Sequence, residues 1–122
     1  MPTKELSTED RRDIAERLTA EADALRVELA AAEAQMSALS ADCDLDAGDA
    51  SAKATALEAL RTDTARARTL LDRILTTLSR VGAPGFGRCA SCGGEIGRDR
   101  LLAVPHTDRC ISCARTGADG GA

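Results

Sequence analysis

The feature that most constrains the fold is a pair of long apolar stripes with the heptad spacing of a coiled coil. Steps of three or four residues connect the members of each stripe, which places them on one face of a helix. Neither stripe is stable in water without a partner to cover it. The members are Ile14, Leu18, Ala22, Leu25, Leu29, Ala32, Met36 and Leu39 in the first, and Leu57, Leu60, Thr64, Ala67, Leu71, Ile74, Leu78 and Val81 in the second.

An Asp-rich segment, residues 42–49, separates the two stripes and contains the only glycine before Gly82. Aspartate and glycine favour turns and helix caps, so we predict a turn here. A short turn favours an antiparallel hairpin within one chain over pairing between chains, and we expect a monomer. Ser7-Thr8-Glu9-Asp10 is typical of a helix start, so the first helix should begin near Thr8. The second helix should end at Gly82-Ala83-Pro84.

Two C-x2-C pairs follow the second stripe: Cys89 with Cys92, and Cys110 with Cys113, separated by 17 residues. This spacing is typical of a structural zinc site, and Gly93 after the first pair suits the turn that such a pair requires. Four thiolates leave no open position on the metal, so the ion cannot activate water. We therefore predict one structural Zn²⁺ ion, no catalytic residues and no enzymatic activity.

Other polar residues near the cysteines leave alternatives open. Arg88, Arg98, Arg100 and Arg109 could offset the negative charge of a zinc–thiolate centre, or they could be solvated surface. His106 could replace a ligand, but four cysteines suffice, and we expect an ordinary loop residue. A thioredoxin-like role for one C-x2-C pair is disfavoured because no strand precedes it.

The composition bounds the location and the core. One Phe, with no Tyr or Trp, permits narrow helix–helix seams but no broad aromatic core. The net charge of −4, with the acidic residues concentrated before residue 50, disfavours nonspecific coating of DNA. There is no secretory signal or apolar membrane span, and five cysteines without an export signal indicate a reducing compartment. We expect a cytoplasmic protein.

The sequence around the cysteines resembles the DksA/TraR family of four-cysteine zinc finger proteins. The resemblance rests on Phe86-Gly87-Arg88-Cys89-Ala90-Ser91-Cys92-Gly93, Glu95-Ile96-Gly97, Arg100-Leu101, Pro105 and Cys110-Ile111-Ser112-Cys113. Members of the DksA type also carry an antiparallel helical hairpin with an acidic tip before the finger. The resemblance implies a bacterial transcription regulator that inserts this hairpin into the secondary channel of RNA polymerase, without specific contact to DNA.

The family tip motif, Asp-x-x-Asp-x-Ala, corresponds here to residues 46–51. Asp46 and Asp49 match both acids, whereas Ser51 stands where Ala is usual. The resemblance makes these three the residues that act on the polymerase. The alternative is that the aspartates only cap the two helices.

Two departures from the DksA pattern limit what carries over. Only Arg115 follows Cys113 before the Gly-rich tail, where longer members have a basic helix that helps bind guanosine tetraphosphate. The chain also starts close to the hairpin, so contacts around the finger can differ. We therefore do not expect a response to that alarmone. Cys43, the fifth cysteine, lies beside the tip and is interpreted as a half-buried free thiol, with redox sensing as the alternative.

The predicted organisation is an N-terminal segment 1–7, an antiparallel coiled-coil hairpin 8–83 with its acidic tip at 42–49, a zinc finger 84–116 and a tail 117–122. The alternative function is a zinc ribbon that binds nucleic acid or another protein through the finger, with the coiled coil as spacer or dimeriser. The four finger arginines support that alternative.

Overall fold

The computed structural model describes residues 6–41 and 47–116. Its helices are α1 (Thr8–Ala41), α2 (Ala47–Arg80), α3 (Arg98–Ala103) and α4 (Ile111–Arg115). The long helices α1 and α2 form a hairpin, and the two short ones belong to the cysteine module. Within the described residues there is no strand, only an isolated antiparallel bridge between Arg88 and Glu95. The mainly α-helical prediction is confirmed.

The chain divides into two compact units. The first unit consists of Met1–Glu21 with Arg73–Ala122, and the second consists of Ala22–Asp72. The first therefore contains the start of α1, the end of α2 and the whole cysteine module. Because this division does not follow the expected boundary between hairpin and finger, the domain limits drawn at residues 7, 83 and 116 remain a prediction.

The start of α1 in the first unit is held by a reciprocal cap. The backbone N–H of Asp10 donates to the Ser7 hydroxyl at 3.0 Å, and the backbone N–H of Ser7 donates to the Asp10 carboxylate at 3.2 Å. This is the capping-box arrangement with aspartate in place of glutamate. The expected helix start near Thr8 is confirmed.

The end of α2 is held by a side chain of α1. The Arg11 guanidinium donates to the carbonyl oxygen of Val81 and, at 2.9 Å, to that of Ala83. Carbonyls just beyond a helix end need such donors. The same guanidinium lies 5.9 Å from the ring centroid of Phe86, a cation–π contact. Arg11 thus connects the start of α1 to the segment that follows α2.

The predicted turn over 42–49 is too long at its C-terminal side, because α2 already begins at Ala47. Asp49 falls in the first turn of α2, where the positive end of the helix dipole stabilises an acidic side chain. Asp49 therefore belongs to the first turn of α2 and not to the preceding turn. Residues 42–46 lie outside the described part of the chain.

The apolar stripes form the seam of the hairpin, as predicted. Ile14, Leu18, Ala22 and Ile74 are fully buried. Exposure is below 10% for Leu25, Leu29, Thr64 and Val81. The other predicted members of the two stripes are half-buried. In the second unit, Arg68 of α2 forms an ion pair with Glu33 of α1, which agrees with antiparallel pairing.

Thr64 is a polar residue buried in this otherwise apolar seam. It is 4% exposed, and among the described residues its hydroxyl has no hydrogen-bond partner. Other helical threonines, including Thr55 and Thr69, donate to the carbonyl four residues earlier. A buried hydroxyl without a partner costs stability.

Candidate metal centre

The first cysteine pair lies in a tight backbone turn. The N–H of Gly93 donates to the carbonyl of Cys89 at 2.9 Å, and the N–H of Cys89 donates to the carbonyl of Gly94 at 2.7 Å. Gly93 has a φ of 76°, in the left-handed region that glycine adopts without strain. The N–H of Ser91 points at the Cys89 sulfur, 3.4 Å away. The turn thus places both cysteines on one side and supplies a donor to a thiolate.

The second pair lies at the start of α4. Cys110 is the N-cap residue, and its sulfur accepts from the N–H of Cys113 at 3.5 Å. A hydrogen bond of 2.7 Å from the N–H of Ala90 to the carbonyl of Asp108 ties the two pairs together. The cap and this cross-link position the second pair against the first.

The four sulfur atoms of Cys89, Cys92, Cys110 and Cys113 all lie within 4.8 Å of one another. The sulfurs of Cys92 and Cys110 are 3.8 Å apart. A tetrahedral ion with Zn–S bonds of about 2.3 Å requires neighbouring sulfurs about 3.8 Å apart. The cluster therefore fits one Zn²⁺ ion, and the predicted cofactor is confirmed.

Hydrogen bonds lower the pKa of two of the clustered thiols and raise that of a third. Donation from the backbone N–H groups of Cys110 and Cys92 lowers the pKa of Cys89 to about 6. Donation from the N–H of Cys113 lowers the pKa of Cys110. Hydrogen bonding to the sulfurs of Cys110 and Cys89 raises the pKa of Cys113 to about 12, because its proton is shared with those thiolates. Since the metal needs thiolates, zinc binding must displace the proton of Cys113.

Helix α3 joins the two cysteine pairs, and Arg100 attaches it to the second. Its guanidinium donates to the carbonyl of Arg109 at 2.8 Å and to the hydroxyl of Thr107 at 3.3 Å. Leu101 and Pro105 are fully buried and form the core of the module. The position of α3 is thereby coupled to the residue before Cys110.

Arg98 connects α3 to the start of α1, a contact that the sequence analysis missed. Its Nε donates to the Asp10 carboxylate at 2.5 Å, and this ion pair lowers the pKa of Asp10. Asp10 therefore both caps α1 and binds the zinc module. No sequence signal identifies this pair, because its members are 88 residues apart.

The four arginines of the finger make different contacts, and they are Arg88, Arg98, Arg100 and Arg109. Arg98 and Arg100 make the internal contacts described above. Arg109 lies 3.7 Å from the carboxylate of its neighbour Asp108. Arg88 is exposed and makes a long hydrogen bond of 3.4 Å to the carbonyl of Gly93. These contacts favour structural roles over a free basic patch on the finger.

His106 is not part of the sulfur cluster. Its Nδ1 lies 3.9 Å from a carboxylate oxygen of Glu21 in α1, and the side chain is half-buried. The interpretation of His106 as a loop residue and not a ligand agrees with this position.

The predicted tip residues belong to the second unit, apart from the cysteines. Asp49 and Ser51 are exposed in the first turns of α2. Asp46, like Cys43, lies outside the described residues. Among the described helices, none combines the length and apolarity that a bilayer crossing requires.

The cysteine module is similar in sequence to known zinc fingers. A family model described as the prokaryotic DksA/TraR C4-type zinc finger matches residues 84–116. Proteins named RNA polymerase-binding transcription factor DksA match over 48 residues, at 50% identity in Escherichia coli K12 and 46% in Haemophilus influenzae. The match covers 39% of this chain and spans about a third of those relatives, 32% and 33% of their lengths.

The fold comparison extends further along the chain. The structure of transcription factor DksA2 from Pseudomonas aeruginosa superposes with a TM-score of 0.84, covering 94% of this chain and 88% of that one at 21% identity. This likeness shows that the two chains share a fold. The resemblance drawn from the sequence is confirmed for the cysteine module, because residues 84–116 match the model of the prokaryotic DksA/TraR C4-type zinc finger.

Proposed function

We propose that the chain is a non-enzymatic transcription regulator that binds bacterial RNA polymerase directly. The observation that carries this proposal is the joint occurrence of a DksA/TraR-type finger and a hairpin fold shared with DksA2 over 94% of the chain. The relatives that match around the cysteines are named RNA polymerase-binding factors. Since the zinc site has four thiolate ligands and no open position, it holds the finger together and does no chemistry.

The proposed mechanism uses the hairpin as an arm that enters the secondary channel. Two helices packed along a narrow seam are thin enough for a channel that excludes a globular domain. Carboxylates carried at the tip would place negative charge near the polymerase active centre. Asp46 and Asp49 are the acting residues in this proposal, with Ser51 beside them. Asp49 is exposed in the first turn of α2.

The alternative, a zinc ribbon that binds nucleic acid, has less support. It relies on the finger arginines, and Arg98 and Arg100 are engaged inside the module. Phe86, the only aromatic residue of the chain, is half-buried beside Arg11 and is poorly placed to stack on a base.

The test separates polymerase binding from the role of the tip. Wild-type protein is expected to bind core polymerase and to alter initiation in vitro, whereas the double variant Asp46→Asn, Asp49→Asn should bind within about threefold of wild type and lose the effect on initiation. The matched control is Glu16→Gln, Glu28→Gln, which removes two exposed charges from α1. Absence of binding by the wild type refutes the function. Normal regulation by the tip variant refutes only the assignment of the tip.

A further inference from the structure

Residues 6–11, which we call the N-terminal anchor, contact the cysteine module on two sides. On the first side, Leu6 lies close to Gly87, two residues before Cys89. A Cβ atom built on Gly87 would stand 3.0 Å from Cδ1 of Leu6 and 3.7 Å from Cδ1 of Leu101, a fully buried residue of the module. The Leu6 side chain therefore packs beside the backbone that leads into the first cysteine pair.

On the second side, Asp10 forms its ion pair with Arg98 at the start of α3. The side chain of Asp10 is 19% exposed and that of Arg98 is 50% exposed, so solvent screens this pair less than a pair on the open surface. Helix α3 continues to Arg100, whose guanidinium donates to the carbonyl of Arg109, the residue before Cys110. A series of polar contacts thus connects the anchor to the second cysteine pair.

Arg11 ties the anchor itself to the end of α2. Its guanidinium donates to the carbonyls of Val81 and Ala83 and lies over the ring of Phe86. These partners all precede the first cysteine in the chain. The anchor therefore has a support that does not depend on the sulfur cluster.

The fold of the cysteine module, in contrast, depends on its metal. Helices α3 and α4 have six and five residues, which is too short for stability by themselves. Where metal binding and folding are one event, a contact that exists only in the folded module adds to the metal affinity. The contacts of Leu6 and Asp10 with the module are of this kind.

We propose that Leu6, Asp10 and Arg98 are positioning residues for the zinc site, and that zinc occupancy is coupled to docking of the N-terminal anchor on the cysteine module. The coupling is reciprocal: the anchor raises the affinity for zinc, and zinc strengthens docking of the anchor by the same factor. This inference concerns the metal site and does not depend on polymerase binding.

The first experiment measures the Kd of the full-length protein for Zn²⁺ at neutral pH, by competition with a chelator of known affinity. Arg98→Gln and Asp10→Asn change the local charge in opposite directions, so a general field effect would shift the two Kd values in opposite directions. Loss of the ion pair instead weakens zinc binding in both variants, by about three- to fivefold. The double variant should bind no more weakly than the weaker single variant, because no contact is left to remove.

Further variants serve as controls and test the apolar contact. Arg12→Gln and Glu9→Gln remove exposed charges from the same end of α1 and should keep Kd within about twofold of wild type. Arg98→Lys retains the charge and should recover part of the lost affinity. Leu6→Ala removes half-buried apolar surface and should weaken zinc binding by about fivefold. Circular dichroism measures the helix content of each variant.

The second experiment measures the reciprocal effect by hydrogen exchange followed by NMR. In the first turn of α1, the backbone N–H groups of Asp10 and Arg11 donate to Ser7. Addition of Zn²⁺ to the metal-free protein should slow their exchange by about three- to fivefold in wild type, and by less than about twofold in Arg98→Gln.

The outcomes are separate for each part of the inference. Opposite shifts of Kd in Asp10→Asn and Arg98→Gln, or additive losses in the double variant, overturn the role of the ion pair. An unchanged Kd in Leu6→Ala overturns the role of Leu6. Exchange in the first turn of wild type that does not respond to Zn²⁺ overturns the coupling, even if every variant fails to fold. Polymerase is absent from both experiments, so these failures leave the proposed function standing.

Discussion

At the scale of single residues, Thr64 gives a direct test of the seam. Its hydroxyl is buried and finds no hydrogen-bond partner in the described part of the chain, which costs about 1–3 kcal/mol. Thr64→Val keeps the branched shape and removes the polar atom. We expect the free energy of unfolding to rise by about 1 kcal/mol, measured by urea titration. Thr62→Val, on the exposed face, is the control and should give no gain. A loss of stability in Thr64→Val would mean that the hydroxyl is hydrogen-bonded in solution.

Asp10 gives a prediction about pH. Its ion pair with Arg98 lowers its pKa, so the charged carboxylate stabilises the fold above the ordinary carboxyl value. This contribution is lost as pH falls through the lowered value. We expect Asp10→Asn to have a lower thermal midpoint than wild type at pH 5 to 7, and the difference to shrink below about pH 4. Glu9→Gln, in the same helical turn, is the control. A difference that stays constant down to pH 3 would contradict the assignment.

At the scale of elements, the zinc site holds α3 and α4, whereas the hairpin has its own seam. Removal of zinc by a chelator is therefore expected to abolish amide protection across residues 89–113 while the second unit keeps its protection. Hydrogen exchange followed by mass spectrometry measures both regions in one sample, and added Zn²⁺ should restore the loss. Protection across 89–113 that survives without metal would show that the module folds on its apolar core alone. Short helices such as α3 and α4 are not stable in isolation.

The elements also show how far sequence reasoning reaches. Heptad spacing predicted the seam because burial of one helix face is a local, periodic requirement, and cysteine spacing predicted the cluster because the metal fixes its ligands. The start of α2 at Ala47 was missed because aspartate favours both turns and first helical turns. The contacts of Arg11 and Arg98 were missed because they depend on three-dimensional proximity between distant segments.

At the scale of the whole molecule, α1 is net acidic and α2 is net basic, so opposite charges on the two helices can neutralise one another. The ion pair of Arg68 with Glu33 does so at one point. Arg66, Arg73 and Arg80 of α2 are exposed, so part of the positive charge of this helix is presented to solvent.

The ion pair between Asp10 and Arg98 also has a consequence for biosynthesis. Arg98 is synthesised 88 residues after Asp10, so both long helices leave the ribosome before Arg98 is available. The seam between α1 and α2 can form on the nascent chain. The ion pair between Asp10 and Arg98 can form only after the finger has been synthesised. Closure of this loop is a non-local event, which slows folding relative to helix formation. A chain arrested before the finger would thus keep its seam and leave the beginning of α1 exposed to proteases and chaperones.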